Sequence, residues 1–435
     1  MIDHTHDAAA RTWLAPDVEN ALASGLQTLP YGVFSEEGEA ACHVGVAIAG
    51  HVLDLSEAQH LGLVDDLDGA LRPALRSSRL NKLLALTPDQ WLALRHRLFA
   101  LLVDDDGAWR GVRDLVRQCL VPMAGVRMHL PFDIGDYTDF YASIHHATNV
   151  GTMLRPEQPL FPNYRHVPIG YHGRASSVVV SGTPVVRPHG QRLPAGADAP
   201  VFGPSERLDY ELEVGLVIGG ENPLGVPVPI GKARERVFGL VLLNDWSARD
   251  IQAWEYQPLG PFLAKSFATT ISAWVLPLDA LETQRVPAAT RSDDAPALLP
   301  YLVDADDQIR GGLDLALEVW ISTQQMRAAG QPPARVSRGN LRDLSWTPAQ
   351  LVAHHTSNGC NLKPGDLLGT GTVSGPRPES RGCLLERTWR GTEPLTLSSG
   401  EVRRFLEDGD AVRLEAPEHA AVCCEGEIRP AVPRW

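Results

Sequence analysis

Residues 209–219 (Asp-Tyr-Glu-Leu-Glu-Val-Gly-Leu-Val-Ile-Gly) alternate polar and apolar side chains and predict a β-strand. Residues two apart in a strand share a face, so Glu211 and Glu213 stand side by side, with Leu212, Val214 and Leu216 turned the other way. Residues 237–243 form an unbroken apolar run ending in Asn244-Asp245, the pattern of a strand buried on both faces with a carboxylate at its tip. Beyond it, Asp245, Arg249, Gln252 and Tyr256 recur at helical spacing. A loop bent by Pro and Gly, residues 258–267, then brings Lys265 into an otherwise apolar run.

Elsewhere, residues 44–55 read as a hairpin turning at Gly50-His51. Residues 80–103 and 109–120 read as helical, the first split where Thr87 caps a helix that has Pro88 at its first position. Arg95, His96 and Arg97 fall on what reads as a solvated helix face. A helix is expected from Asp136, which stacks Asp139, Ser143 and His146 along one side. Further strands are expected at residues 178–180, 185–186 and 315–321, and a helix at 348–357. Pro- and Gly-rich or acidic loops are expected at 187–206 and 277–300. Glu386 is one acid inside an apolar strand pattern, and a buried acid needs a partner, for which a histidine is suited.

With 435 residues the chain exceeds one typical core, so two domains are expected: residues 1–120 as a structural or assembly unit, and 121–435 carrying the chemistry. The balance of 39 basic and 53 acidic residues, net −14, argues against nucleic acid or an anionic membrane as a partner. It leaves room for a local basic pocket that takes a small anion. Six cysteines without a CxxC spacing indicate neither a zinc framework nor a disulfide scaffold and suit a reducing cytoplasm. No signal-peptide pattern and no membrane-spanning apolar run are read.

Glu211, Glu213 and Asp245, set against apolar strands, repel one another unless a cation lies between them, and Mg²⁺ or Ca²⁺ prefers such oxygen ligands. Glu-x-Glu alone is more commonly a solvated strand face, and a lone Asp a cap. Acid, guanidinium, amide, phenol and ammonium converging on one spot exceed what a surface requires. Histidine is poised near neutral pH, but spacing leaves open whether His145 or His146 reacts. The glycines of residues 361–375 lack the P-loop Gly-Lys-Ser/Thr, so a strand-turn that brings Thr372 to a ligand is preferred over a nucleotide site. Gly-x-Ser-x-Gly and His-Glu-x-x-His are absent from the sequence.

Asp136-Tyr-Thr-Asp-Phe-Tyr, His146-Ala-Thr-Asn-Val-Gly, Gly170-Tyr-His-Gly-Arg-Ala-Ser-Ser, Glu211-Leu-Glu, Asn244-Asp-Trp-Ser-Ala-Arg-Asp-Ile-Gln, Pro258-Leu-Gly-Pro-Phe and Pro378-Glu-Ser together resemble the fumarylacetoacetate hydrolase family. The resemblance runs from about residue 120 to the C-terminus and more weakly before it. It implies a mainly β fold, with a small N-terminal SH3-like barrel and a large C-terminal mixed β-sandwich roll, assembled as a homodimer. It implies Mg²⁺ or Ca²⁺ on Asp139, Glu211, Glu213 and Asp245, with Lys265 and Thr269 close by. His146, oriented by Glu386, would activate water, and Arg249, Gln252 and Lys265 would face the oxyanion. Tyr141, Arg155, Tyr171, Gln252, Tyr256 and Thr372 would contact a small dioxo-acid substrate. The implied reaction hydrolyses the C–C bond of fumarylacetoacetate, the last step of tyrosine catabolism. Ala268 stands where the family has Gly, and His145 where it has Gln. Alternatives are a metal-dependent tautomerase or decarboxylase of a 2-oxo or β-dicarbonyl acid, and a metal-binding scaffold without activity.

Overall fold

The computed structural model describes residues 2–14 and 25–433. The chain begins its sheet with β1 (Tyr31–Glu36), β2 (His43–Ile48) and β3 (His51–Asp54). β2 and β3 form the expected hairpin with Ile48 opposite His51, so Ala49 and Gly50 make the turn, one residue earlier than read from the sequence. Both turn residues have positive φ (48° and 80°), as a two-residue turn matched to strand twist requires.

Helix α1 (Pro88–Leu102) starts where expected: Thr87 Oγ1 accepts from the Gln90 amide, the Gln90 side chain accepts from the Thr87 amide, and Pro88 fills the first turn. Its Arg95 and Arg97 are buried, not solvated. Arg95 donates to Thr5 Oγ1 and the Gln27 carbonyl, while Arg97 donates to the Leu63 carbonyl and Asp66 and lies 4.1 Å over the Trp109 ring. Long stems pack while the guanidinium forks satisfy loop carbonyls, which periodicity cannot distinguish from a wet face.

Next come β4 (Tyr137–Phe140), α2 (Ile144–Leu154) and β5 (Gly170–His172). The helix expected from Asp136 starts only at Ile144, and Asp139 lies in a strand, where the Tyr-Thr-Asp-Phe composition suits extended backbone. β6 (Leu212–Ile218) and β7 (Val237–Asp245) pair antiparallel from Leu212↔Asn244 to Ile218↔Val237. Then follow α3 (Arg249–Glu255), β8 (Thr269–Ile271), β9 (Trp274–Pro277), β10 (Ala316–Ser322), β11 (Ala334–Asn340), α4 (Pro348–Thr356), β12 (Leu367–Gly369), β13 (Ala411–Glu415) and β14 (Cys423–Arg429). Asp245 therefore ends a strand and does not share the helix of Arg249. Residues 187–206 contain a short hairpin, His189–Arg192 with Val201–Pro204, instead of loop alone.

A thirteen-stranded sheet runs along its main path from Leu120–Pro122 through β3, β2, β1, β9, β7, β6, β12 and β4 to β5. β1 joins β9 at Tyr31↔Val275 and Gly32↔Trp274. The pairing stays open along this path, and no closed barrel forms among the described residues, so the N-terminal strands extend one sheet instead of curling into the implied barrel. The second sheet, β11-β10-β13-β14 with Val185–Val186, shares an apolar core with the inner face of β6 and β7: Leu216 and Leu242 meet a cluster that includes Val319, Ile321 and Leu414. The outer face of β7 offers Val241 and Leu243 to a second core built with the N-terminal strands and α1. Two buried faces explain the unbroken apolar run before Asp245.

Trp246, fully buried just past β7, ties the layers together: its Nε1 donates to Thr270 Oγ1 at 2.8 Å, and its ring lies over Gly426 of β14. A Cβ at Gly426 would stand 2.7 Å from Trp246 Cζ2. Gly426→Ala is expected to destabilise the fold by ~1–3 kcal/mol through overpacking. The readout is a lower denaturant midpoint at unchanged slope; an unmoved midpoint would mean the indole can shift.

Candidate active site

The ends of β4, β6 and β7 converge. Oxygens of Asp139, Glu213 and Asp245, all buried, lie within 4.8 Å of one another. The Gly371 amide donates to Asp139 Oδ1 and Glu213 Oε2, each at 3.1 Å, and Glu213 Oε1 is left buried without a partner. Gly371 sits at φ 73°, and a Cβ there would come 2.2 Å from the Phe140 carbonyl oxygen, so glycine alone lets the chain approach both acids. Burial raises the pKa of all three carboxyls, neighbouring carboxylates add to it, and Asp139 is pushed up to about 8.

Glu211 differs. Lys265 Nζ donates to its Oε2 at 2.5 Å and Arg249 Nη1 to its Oε1 at 2.7 Å. Burial alone would raise its pKa, but Lys265 and Arg249 overcome this and hold it well below the usual carboxylate range. Lys265 also donates to Asp245 Oδ2 at 2.7 Å, and Tyr171 and Thr269 hydroxyls donate to Asp245 at 3.1 Å. Lys265 is aimed by its loop: Glu255, the last residue of α3, accepts the amides of Phe262, Leu263 and Ala264.

An all-oxygen donor set, an orphaned Glu213 Oε1 and three acids raised by burial and repulsion fit a hard divalent cation. Asp139, Glu213 and Asp245 would hold it. Glu211, the fourth acid expected to hold the ion, lies beside them, and its oxygens, which accept from Lys265 and Arg249, each keep a further lone pair. Burial lowers the pKa of Lys265, but Asp245 and Glu211 raise it further, so it stays an ammonium with no lone pair for a metal. The Thr269 hydroxyl reaches the cluster through its hydrogen bond to Asp245.

The second cluster centres on Glu386, which lies in a short helical turn, Leu384–Arg387, and not in the strand its pattern suggests. His146 follows the Ser143 N-cap of α2, and its Nδ1 lies 2.6 Å from Glu386 Oε2. Asn149 Nδ2 donates to Glu386 Oε1 and Ser374 Oγ to Oε2, both at 2.8 Å. Burial would raise Glu386, yet the charge and hydrogen bond of His146, with the bonds from Asn149 and Ser374, draw it down to about 2. Nδ1 is thus occupied, and Nε2 is the ring nitrogen available to a ligand.

Both clusters meet a cavity of about 450 Å³ lined by Tyr141, His146, Arg155, Tyr171, Glu211, Arg249, Gln252, Tyr256, Lys265 and Thr372. Glu213, Asp245, Thr269 and Glu386 stand behind this lining. Arg249 Nη2 and Thr372 Oγ1 are buried without partners, and Gln252 Oε1 accepts from Arg249 Nη1 at 3.0 Å, which leaves its amide NH₂ to donate. His145 is absent from the lining. Ala268 is buried with ordinary backbone and strains nothing.

Asp209 escaped the sequence reading. Fully buried, it accepts from Arg249 Nε at 2.9 Å and from the Leu384 and Leu385 amides, coupling Arg249 to the turn that carries Glu386. Asn149 could have been found, three residues past His146 on the same helix face; Ser374 carries no such signal.

Glu386 has a depressed pKa, about 2 against 4.5, so it contributes stability that is present above about 4.5 and lost as pH falls through about 2. Glu386→Gln should unfold more readily than wild type at neutral pH, with the gap closing across that window. A gap that persists into strong acid would mean the carboxylate charge is not its source.

The sequence matches two family models, fumarylacetoacetate hydrolase C-terminal over residues 137–428 and fumarylacetoacetase N-terminal over residues 27–131. It is 47% identical over 426 residues to a fumarylacetoacetase of Arabidopsis thaliana, covering 94% of this chain and 96% of that protein. Identity to the fumarylacetoacetase of Homo sapiens is 46% over 388 residues, covering 89% of this chain and 90% of that one. A solved fumarylacetoacetate hydrolase from psychrophilic Exiguobacterium antarcticum shares the fold, with TM-score 0.51 at 16% identity over 92% of this chain and 99% of the other. With both regions matched and the relatives aligned almost end to end, the chain belongs to the fumarylacetoacetate hydrolase family.

Proposed function

We propose that the protein hydrolyses fumarylacetoacetate to fumarate and acetoacetate, closing tyrosine catabolism. The observation that carries this reading is the buried Glu386–His146 pair, which faces the same cavity as the carboxylate cluster. A tautomerase could also use such a base; the hydrolase is favoured because the relatives that align almost end to end are fumarylacetoacetases.

In this reading His146 Nε2 takes a proton from water, and Glu386 holds the ring in the required tautomer and stabilises the charge it gains. The water oxygen bonds to the fumaryl carbonyl carbon. Arg249, Gln252 and the third proton of Lys265 donate to the oxyanion that develops there. The C–C bond then breaks, its electron pair leaves with the acetoacetate half as an enolate, and that carbon takes up a proton. A bound divalent cation supplies Lewis-acid stabilisation of the departing β-dicarbonyl half. Arg155, stacked 4.2 Å from the Phe161 ring, holds a terminal carboxylate, while Tyr141, Tyr171, Tyr256 and Thr372 contact the substrate. The finer points carried by the family resemblance belong to the same proposal: Mg²⁺ or Ca²⁺ as the ion, a cytoplasmic homodimer, and a division near residue 120 into an N-terminal and a catalytic part. No helix among the described residues is long and apolar enough to cross a membrane.

His146→Ala should lower kcat by ~10²–10⁴-fold while the protein still takes up Mg²⁺ or Ca²⁺; undiminished turnover removes His146 as the base. Asp245→Ala should instead weaken uptake of the ion, measured by calorimetry, and unchanged uptake would refute the ligand set. In labelled water the oxygen should appear in fumarate, and chelation should stop cleavage. Intact, ion-loaded protein that leaves the diketone uncleaved would refute the hydrolase reading.

A further inference from the structure

We infer that the mouth of the cavity carries a second carboxylate subsite, formed by Arg207 and Arg390, which reads the far end of a dicarboxylic substrate. This rests on the hydrolase reading and names the group that reading leaves without a partner: the substrate has a carboxylate at each end, and Arg155 holds one.

The cations along the cavity fall into two groups. Deep inside, Arg249 is neutralised by Asp209 and Glu211, and Lys265 by Glu211 and Asp245. At the mouth, Arg155, Arg207 and Arg390 line the same cavity without an ion pair among the described residues. The neighbouring acid Glu206, which could have neutralised Arg207, is taken by Arg192. In a chain of net charge −14, three uncompensated guanidiniums around one opening concentrate a positive field where an anion enters.

Backbone conformation fixes one of them. Trp389 and Arg390 are consecutive non-glycine residues at φ 47° and 60°, ahead of Gly391 at 86°. They close the turn that carries Glu386: the Arg390 amide donates to the Leu385 carbonyl at 2.9 Å, and its Nη1 to the Met153 carbonyl near the end of α2 at 2.9 Å. Glycine would adopt this conformation without strain, yet a guanidinium is kept there, and such backbone persists where its surroundings over-determine it. Phe405 lines the same cavity and lies against Arg207 and against Gly391, the residue that follows Arg390. Its ring centroid lies 6.0 Å from Arg207 Cζ, and a Cβ on Gly391 would lie 3.4 Å from its Cε2. Two guanidiniums and an aromatic ring lining one cavity mouth suit a flat, conjugated carboxylate, whose oxygens meet the forks while its carbon face meets the ring.

The test is the double variant Arg207→Gln/Arg390→Gln, assayed with fumarylacetoacetate and with acetylacetoacetate, in which a methyl replaces the unsaturated acid arm. kcat/KM for the diacid should fall about 10-fold or more, as expected when charge-assisted hydrogen bonds are lost. The monoacid should lose far less, and lysine at both positions should restore part of the diacid rate. Equal losses with both substrates overturn the subsite. Calorimetry with fumarate and crotonate separates this proposal from the hydrolase reading. If the wild type prefers fumarate and the double variant does not, the subsite stands even where no diketone is cleaved, and the hydrolase reading alone falls. No preference in the wild type overturns the subsite even where cleavage is intact.

Discussion

Carboxylates shielded from water repel one another with little screening, and the site is arranged around that repulsion. β4, β6 and β7 bring Asp139, Glu213 and Asp245 together at their ends, with Glu211 beside them, all buried. Lys265 answers part of the charge by bridging Glu211 and Asp245, and Arg249 answers another part on Glu211 and Asp209. What remains rests on Asp139 and Glu213, whose shared protein donor is the Gly371 amide. Their raised pKa values let protons, or a bound cation, relieve that remainder, while apolar packing on both faces of the strands keeps the acids close together.

The two clusters at the cavity are joined through backbone as well as side chains. Asp209 accepts the amides that begin the Glu386 turn and, with the same carboxylate, the Nε of Arg249. The orientation of Glu386, and with it His146, and that of Arg249 are therefore referred to one buried carboxylate. Burial raises the Asp209 carboxyl, and Arg249 works against that rise, so the acid depends on the arginine as much as the arginine on the acid.

Long elements with one dominant pattern were legible in the sequence: the β7 run, the 44–55 hairpin, and α1 with its Thr87-Pro88 start. Short elements misled. Tyr137–Phe140 is a four-residue strand, and helical spacing between Asp139 and His146 outweighed a pattern too brief to assert itself. Glu386 lies in a single helical turn that an apolar flank disguised as strand. Its need for a partner could still be argued from burial chemistry, which does not depend on knowing the element. Asp209, Ser374 and the interior positions of Arg95 and Arg97 involve contacts far along the chain, and no local period records those.

The junction of β1 with β9 has a bearing on how the molecule is made. Tyr31 and Gly32 find their partners, Val275 and Trp274, more than half the chain later. On that side Val126–Met128 pairs with Phe34–Glu36, so a nascent chain leaves Tyr31 and Gly32 unpaired there until β9 emerges, and loop closure over such a distance is slow. The hairpin of β2 and β3 can form early and shield the other side of β1, but synthesis past β9 is needed to pair its first two residues on both sides.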